Sequence, residues 1–106
     1  MSTPRQNTYR SMLRDTVEAI AQVEASLLPN DDRARVLQAR ITHIQERLNV
    51  GGSEAEFYDT LLYALGDMKL VGEQLPPLSI ARTTLQIQIE AVEGVLTDDE
   101  GRGQKS

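Results

Sequence analysis

Residues 30–52 read NDDRARVLQARITHIQERLNVGG, and they decide the fold. Ala34, Leu37, Ile41, Ile44 and Leu48 recur at alternating steps of three and four. That spacing places all five on one narrow stripe of a helix, in the manner of a coiled-coil seam. Asn30 is expected to cap the helix, with Asp31 and Asp32 in the first turn, where negative charge suits the helix dipole. Gly51-Gly52 is expected to stop it. A stripe this narrow needs partner helices.

The flanking sequence supplies them. Upstream, Thr3-Pro4-Arg5-Gln6 has the composition of a capping box with proline at the first helical position. Tyr9, Leu13, Val17, Ile20, Val23 and Leu27 follow at helical spacing, and Leu28-Pro29-Asn30 ends the run. Downstream, Ser53-Glu54-Ala55-Glu56 is a second capping box. Behind it come Phe57, Leu61, Leu65, Met68, Val71 and Leu75, closed by Pro76-Pro77. A fourth run carries Ala81, Leu85, Ile89, Val92 and Leu96. No stretch alternates with period two. The expected fold is all-α: an antiparallel four-helix bundle of two helical hairpins. A single domain is expected over residues 1–96, followed by a flexible polar tail over 97–106.

A shift of 48 positions lays the first hairpin on the second. Leu13 falls on Leu61, Ile20 on Met68, Pro29 on Pro77, Leu37 on Leu85, Gln38 on Gln86 and Leu48 on Leu96. Two amphipathic hairpins of equal length match this way at their apolar positions, and so does a tandem repeat.

Composition narrows the function. With 106 residues, no cysteine and one histidine, the chain has neither disulfides nor thiolate metal sites. No apolar run reaches membrane-spanning length, and Met1 to Arg10 do not read as a signal sequence, so a cytoplasmic location without membrane contact is expected. His43 stands beside the seam and is expected to face solvent. No Glu-x-x-His pair and no Gly-rich phosphate loop occurs. The inventory predicts no enzyme activity, no catalytic residues, no metal and no cofactor.

The charge is uneven. Residues 1–53 carry seven basic and six acidic side chains, a net of +1, whereas residues 54–100 carry Lys69 and Arg82 against ten acids, a net of −8. The whole chain stands at −5, a poor match to bulk DNA. Two surfaces stand out. Arg33, Arg40 and Arg47 recur every seven residues along the second helix. They form either a phosphate-facing ridge or one half of interhelical ion pairs. The second surface is on the other hairpin. Asp59, Tyr63, Gly66, Leu70 and Glu73 share the outward side of the third helix, and Ile80, Thr84, Ile87, Ala91 and Gly94 that of the fourth. Rimmed by Asp59, Asp67, Glu73 and Glu90, this second apolar face is expected to be a protein-binding surface, or else part of a wider core. Gly66 and Gly72 inside a helix suggest close backbone approach by a neighbour.

The nonapeptide Leu78-Ser79-Ile80-Ala81-Arg82-Thr83-Thr84-Leu85-Gln86 resembles the second-helix motif of phage hairpin proteins that sequester cyclic-nucleotide signals of CBASS and Thoeris defence. Met68-Lys69 with Gly72-Glu73 is similar to the lysine-bearing first helix of that hairpin. The resemblance covers about a fifth of the chain. It implies an oligomer with Lys69, Arg82 and Thr83 as phosphate contacts. The chain departs from the pattern in its shorter interhelical link and in Ile87-Gln88-Ile89, where methionine or aromatic residues are expected. In size and acidity the chain is also similar to phage anti-CRISPR and other anti-defence proteins.

The function expected first is a stoichiometric inhibitor that occupies the basic surface of a larger protein, one that handles nucleic acid in the manner of a CRISPR complex. Its protein contacts would be Asp59, Tyr63, Asp67, Leu70, Glu73, Ile87 and Glu90. Any phosphate contact, with nucleic acid as a secondary partner, would fall to Arg33, Arg40, Arg47, Lys69 and Arg82. The alternatives are the nucleotide sponge and a structural homodimer or adaptor module.

Overall fold

The computed structural model describes the backbone of residues 3–105 and the side chains of residues 3–98. Four helices follow one another: α1 (Pro4–Ala25), α2 (Asp32–Val50), α3 (Glu54–Gln74) and α4 (Ile80–Lys105). No strand occurs among the described residues.

Local chemistry sets the helix ends. Thr3 and Ser53 close complete capping boxes with Gln6 and Glu56. The cap of α2 is Asp31 rather than Asn30: its carboxylate accepts from the backbone N–H of Arg33 at 2.9 Å. Asn30 instead belongs to the preceding turn, which Asp31 N closes on Leu28 O at 3.0 Å. Gly51 terminates α2 at φ +84°, a conformation that a Cβ would strain. Helix α4 runs through Lys105, past Leu96, where the sequence predicts a tail. No proline follows Pro77, so nothing forbids helical backbone there. The side chains from residue 99 onward lie outside the described residues.

The helices run up-down-up-down. Gln6 Nε2 donates to Gly52 O at 3.0 Å, and Arg5 reaches Glu54 at 3.8 Å, so α1 and α3 begin at the same end. Helices α1 and α3 each pack against all three others, whereas among the described residues the backbones of α2 and α4 do not come within 8 Å of each other. The bundle is therefore a flattened rhombus with α1 and α3 on its short diagonal, 44 × 28 × 15 Å in extent. Its core is the apolar stripe of each helix, with Leu13, Ile20, Leu37, Ile44, Phe57, Leu61, Met68, Leu85 and Val92 sealed from solvent. Thr16 and Gln88 are buried with them.

The 48-residue shift holds in three dimensions. Leu13 and Leu61, Ile20 and Met68, Val23 and Val71, Leu37 and Leu85, and Ile44 and Val92 are all buried pairs. The two hairpin turns share their hydrogen bonds as well. Leu27 N to Glu24 O (3.0 Å) corresponds to Leu75 N to Gly72 O (3.2 Å). Asp31 N to Leu28 O (3.0 Å) corresponds to Ser79 N to Pro76 O (3.1 Å). Apolar patterning does not impose that agreement. Helix α1 meets α4 as α3 meets α2, which is a pseudo-twofold arrangement.

Candidate protein-binding surface

The heptad of arginines on α2 lies along α3 and is taken up by it. Arg47 Nη1 donates to Glu56 Oε2 at 3.0 Å and to Gly51 O at 2.9 Å. Arg40 Nε donates to Asp67 Oδ2 at 2.6 Å. Arg33 donates to Gln74 O at 3.0 Å and forks onto its own cap, Asp31. Antiparallel packing explains the order: as the arginine number falls, the number of its α3 partner rises. The guanidinium of Arg33, then its backbone N–H, push the Asp31 carboxyl down to about 2. Glu56 is held below the usual carboxylate range by the Ser53 backbone N–H and next by Arg47. Of the two readings of the arginine ridge, the geometry matches interhelical pairing. The three side chains are engaged and do not stand out as a phosphate ridge.

His43 joins this seam and is half-buried rather than facing solvent. Arg40 Nη1 donates to its Nδ1 at 2.8 Å, and its ring meets Tyr63 edge-on at 6.2 Å. Arg40 also lies 5.5 Å over the Tyr63 ring. Burial, then the charges of Arg40 and Arg47, hold the imidazole below its ordinary value, with Glu46 and Asp67 pulling the other way. A histidine with a depressed folded-state value binds its proton more readily when unfolded. Stability is then complete above about pH 6.5 and is lost as pH falls through the folded value. His43→Gln is expected to flatten that part of a pH series of urea midpoints. An unchanged slope would remove His43 as its source.

The expected site residues on the second hairpin divide. Asp59, Tyr63, Leu70 and Glu73 are exposed on one side of α3, together with Leu62, which the sequence reading passed over because it adjoins the core residue Leu61. Asp67 is held by Arg40 and belongs to the seam instead. On α4, Ile87 and Glu90 are both exposed and, three residues apart, are neighbours on the helix surface. Arg82, Gln86, Ile89 and Glu93 face α3 across a shallow groove of about 220 Å³, opposite Lys69, Gly72 and Glu73. At 100° per residue, Thr83 and Glu90 form a polar ridge between that groove and Ile87. Ile80, Ile87 and Ala91 lie beyond it on the α1 side, where Gln88 reaches Thr16. The single apolar face expected across α3 and α4 is thus two stripes.

Lys69 and Arg82, expected from separate helices, do line one groove. Lys69 pairs with Glu93 at 2.9 Å, and Arg82 donates to Leu75 O at 3.2 Å. Thr83 bonds its own helix at Ser79 O. A Cβ built on Gly66, Gly72 or Gly94 meets nothing within 4 Å among the described residues, so the close approach by a neighbour that the sequence suggests for Gly66 and Gly72 does not occur there.

What remains is a surplus of acid. Asp59, Glu73 and Glu90 make no ion pair or hydrogen bond to another described residue, whereas the arginines of α2 are occupied. Among the described residues, no cluster of three His, Asp or Glu side chains is placed to hold a metal, and no helix is long and apolar enough to cross a membrane. No protein-family model matches the chain, and neither a curated protein nor a solved structure matches it.

Proposed function

We propose that the protein is a non-enzymatic binding protein that acts stoichiometrically on a larger partner through the acidic side of its second hairpin. One observation carries this reading. The arginines of α2 turn inward onto α3, and Asp59, Glu73 and Glu90 are left uncompensated beside exposed Leu62, Tyr63 and Leu70. Unpaired charge around exposed apolar area is the pattern of an interface core with a polar rim. The partner surface is basic, as in a protein built to hold nucleic acid, and occupying it blocks that use. An inhibitor of a CRISPR-type complex or of another defence protein fits this chemistry.

The test is capture of a partner from lysate of the source cells on immobilised protein. Asp59→Lys, Glu73→Lys and Glu90→Lys together are expected to weaken retention at least about tenfold, with the helical circular dichroism unchanged. Retention equal to that of the wild type would move the interface off the second hairpin.

A second reading, sequestration of a cyclic nucleotide, is favoured by the placement of Lys69 and Arg82 on one groove. Glu73 and Glu93 line the same groove and oppose a phosphate there. Titration calorimetry with cyclic dinucleotides distinguishes the two, because the inhibitor reading expects no heat.

A further inference from the structure

The pseudo-twofold provides an internal control for which surface residues the fold requires. The exposed side of α1 carries Ser11, Arg14, Asp15, Glu18 and Gln22. The equivalent exposed positions of α3, 48 residues on, carry Asp59, Leu62, Tyr63, Gly66 and Leu70. The same bundle position is therefore polar in one hairpin and apolar in the other. Burial in the core does not explain the difference, since Leu62, Tyr63 and Leu70 are 42%, 60% and 50% exposed. Gly66 interrupts this stripe with a notch. It lowers the helix propensity of α3, yet no described residue occupies the space where its Cβ would be.

The charges around the stripe select its occupant. Asp59 and Glu73 stand at its two ends, about 21 Å apart along the helix, and Glu90 is exposed on α4 across the groove that Lys69 and Glu73 line. The two cations beside it, Arg40 over the Tyr63 ring and Lys69 next to Leu70 in sequence, are committed to Asp67 and Glu93. A second copy docked face to face would bring these acids together with no counter-charge, which disfavours self-association here. A cationic partner instead completes them. The backbone of α3 is hydrogen-bonded along its length, so it offers no free edge to an extended strand. An element with its own backbone satisfied, a helix, is what can lie on it.

We infer that the stripe Leu62–Tyr63–Gly66–Leu70 is the docking site for one basic amphipathic helix of the partner. Its apolar residues, spaced three and four apart, pack over the Gly66 notch, and its lysines or arginines reach Asp59, Glu73 and Glu90. This inference rests on the acidic-surface reading above and names the element that surface recognises.

Three fluorescent peptides of about 18 residues test it by anisotropy against the full chain. The first has leucines in helical register flanked by Lys and Arg. The second has the same composition in scrambled order. The third keeps the register but carries Glu in place of the basic residues. The first is expected to bind, and the other two to bind at least about tenfold more weakly. Gly66→Gln fills the notch with a side chain whose Cβ meets no described neighbour, and is expected to weaken the first peptide at least about tenfold, as is Leu70→Asp. The equivalent change on α1, Glu18→Gln, is expected to leave it unchanged. Equal binding of ordered and scrambled basic peptides, with charge reversal weakening both, would overturn the helix docking site and leave the acidic-surface reading standing. Failure of the first peptide to bind, or indifference to Gly66→Gln, overturns the inference. A dimer by light scattering that Gly66→Gln dissociates overturns it in favour of a second copy.

Discussion

Phe57→Ala is expected to lower the stability of the bundle by about 3–5 kcal/mol. Phe57 is the sole phenylalanine and is sealed from solvent one turn into α3. Its ring is a floor for Arg10, whose guanidinium carbon lies 4.9 Å from the ring centroid. Arg10 Nε is buried there without a hydrogen bond, and Arg10 Nη1 reaches Leu48 O at 3.5 Å. Truncation therefore leaves a cavity and also removes the face that holds a half-buried cation. A domain of this size has about 5–15 kcal/mol in all, so the loss is a large fraction of it. Urea unfolding followed by circular dichroism should show a lower midpoint with an unchanged slope. Phe57→Leu should lose much less, because most of the volume is retained. A cost for the alanine variant below about 1 kcal/mol would mean that the site collapses around the deletion and that the ring is not a fixed part of the core.

Thr16→Val is expected to cost about 1–3 kcal/mol, although the two side chains have nearly the same shape. The Thr16 hydroxyl donates to Met12 O at 2.8 Å and accepts from Gln88 Nε2 at 2.9 Å. Gln88 is 9% exposed, and its remaining partner is the Met12 thioether at 3.3 Å, a weak acceptor. Valine removes the strong acceptor and leaves the amide buried. The double variant Thr16→Val with Gln88→Met should recover most of the loss, because removing both polar partners avoids the orphaned group. The stabilities of the wild type, both single variants and the double variant form a cycle. Strictly additive effects would show that the α1–α4 bond contributes nothing of its own.

These two sites differ in how far they could be read in advance. Phe57 belongs to a run at helical spacing behind a capping box, and both signals are local. Thr16 and Gln88 break the apolar pattern, and each looks like a surface residue until the other is brought across from 72 positions away. The binding surface has the same split. The acidic excess of the second hairpin and the exposure of Asp59, Tyr63, Leu70 and Glu73 follow from composition and helical period. Asp67 looks identical to them in sequence but is drawn to Arg40. The separation of Ile87 from the α3 stripe depends on how α4 is rotated against α1 and α3.

The sequence by itself determined four helices, their starts at Thr3 and Ser53, the turns at the prolines and at Gly51-Gly52, and the stripe of each helix that is buried. All of these are set by interactions within a few residues of the chain, or by a period that one helix displays alone. Tertiary structure decided the flattened rhombus, the inward turn of Arg33, Arg40 and Arg47, and the acids left without partners. Those depend on which side chains meet between helices. Several cations and several acids lie within reach along the chain, and only the packing of α2 on α3 chooses among them.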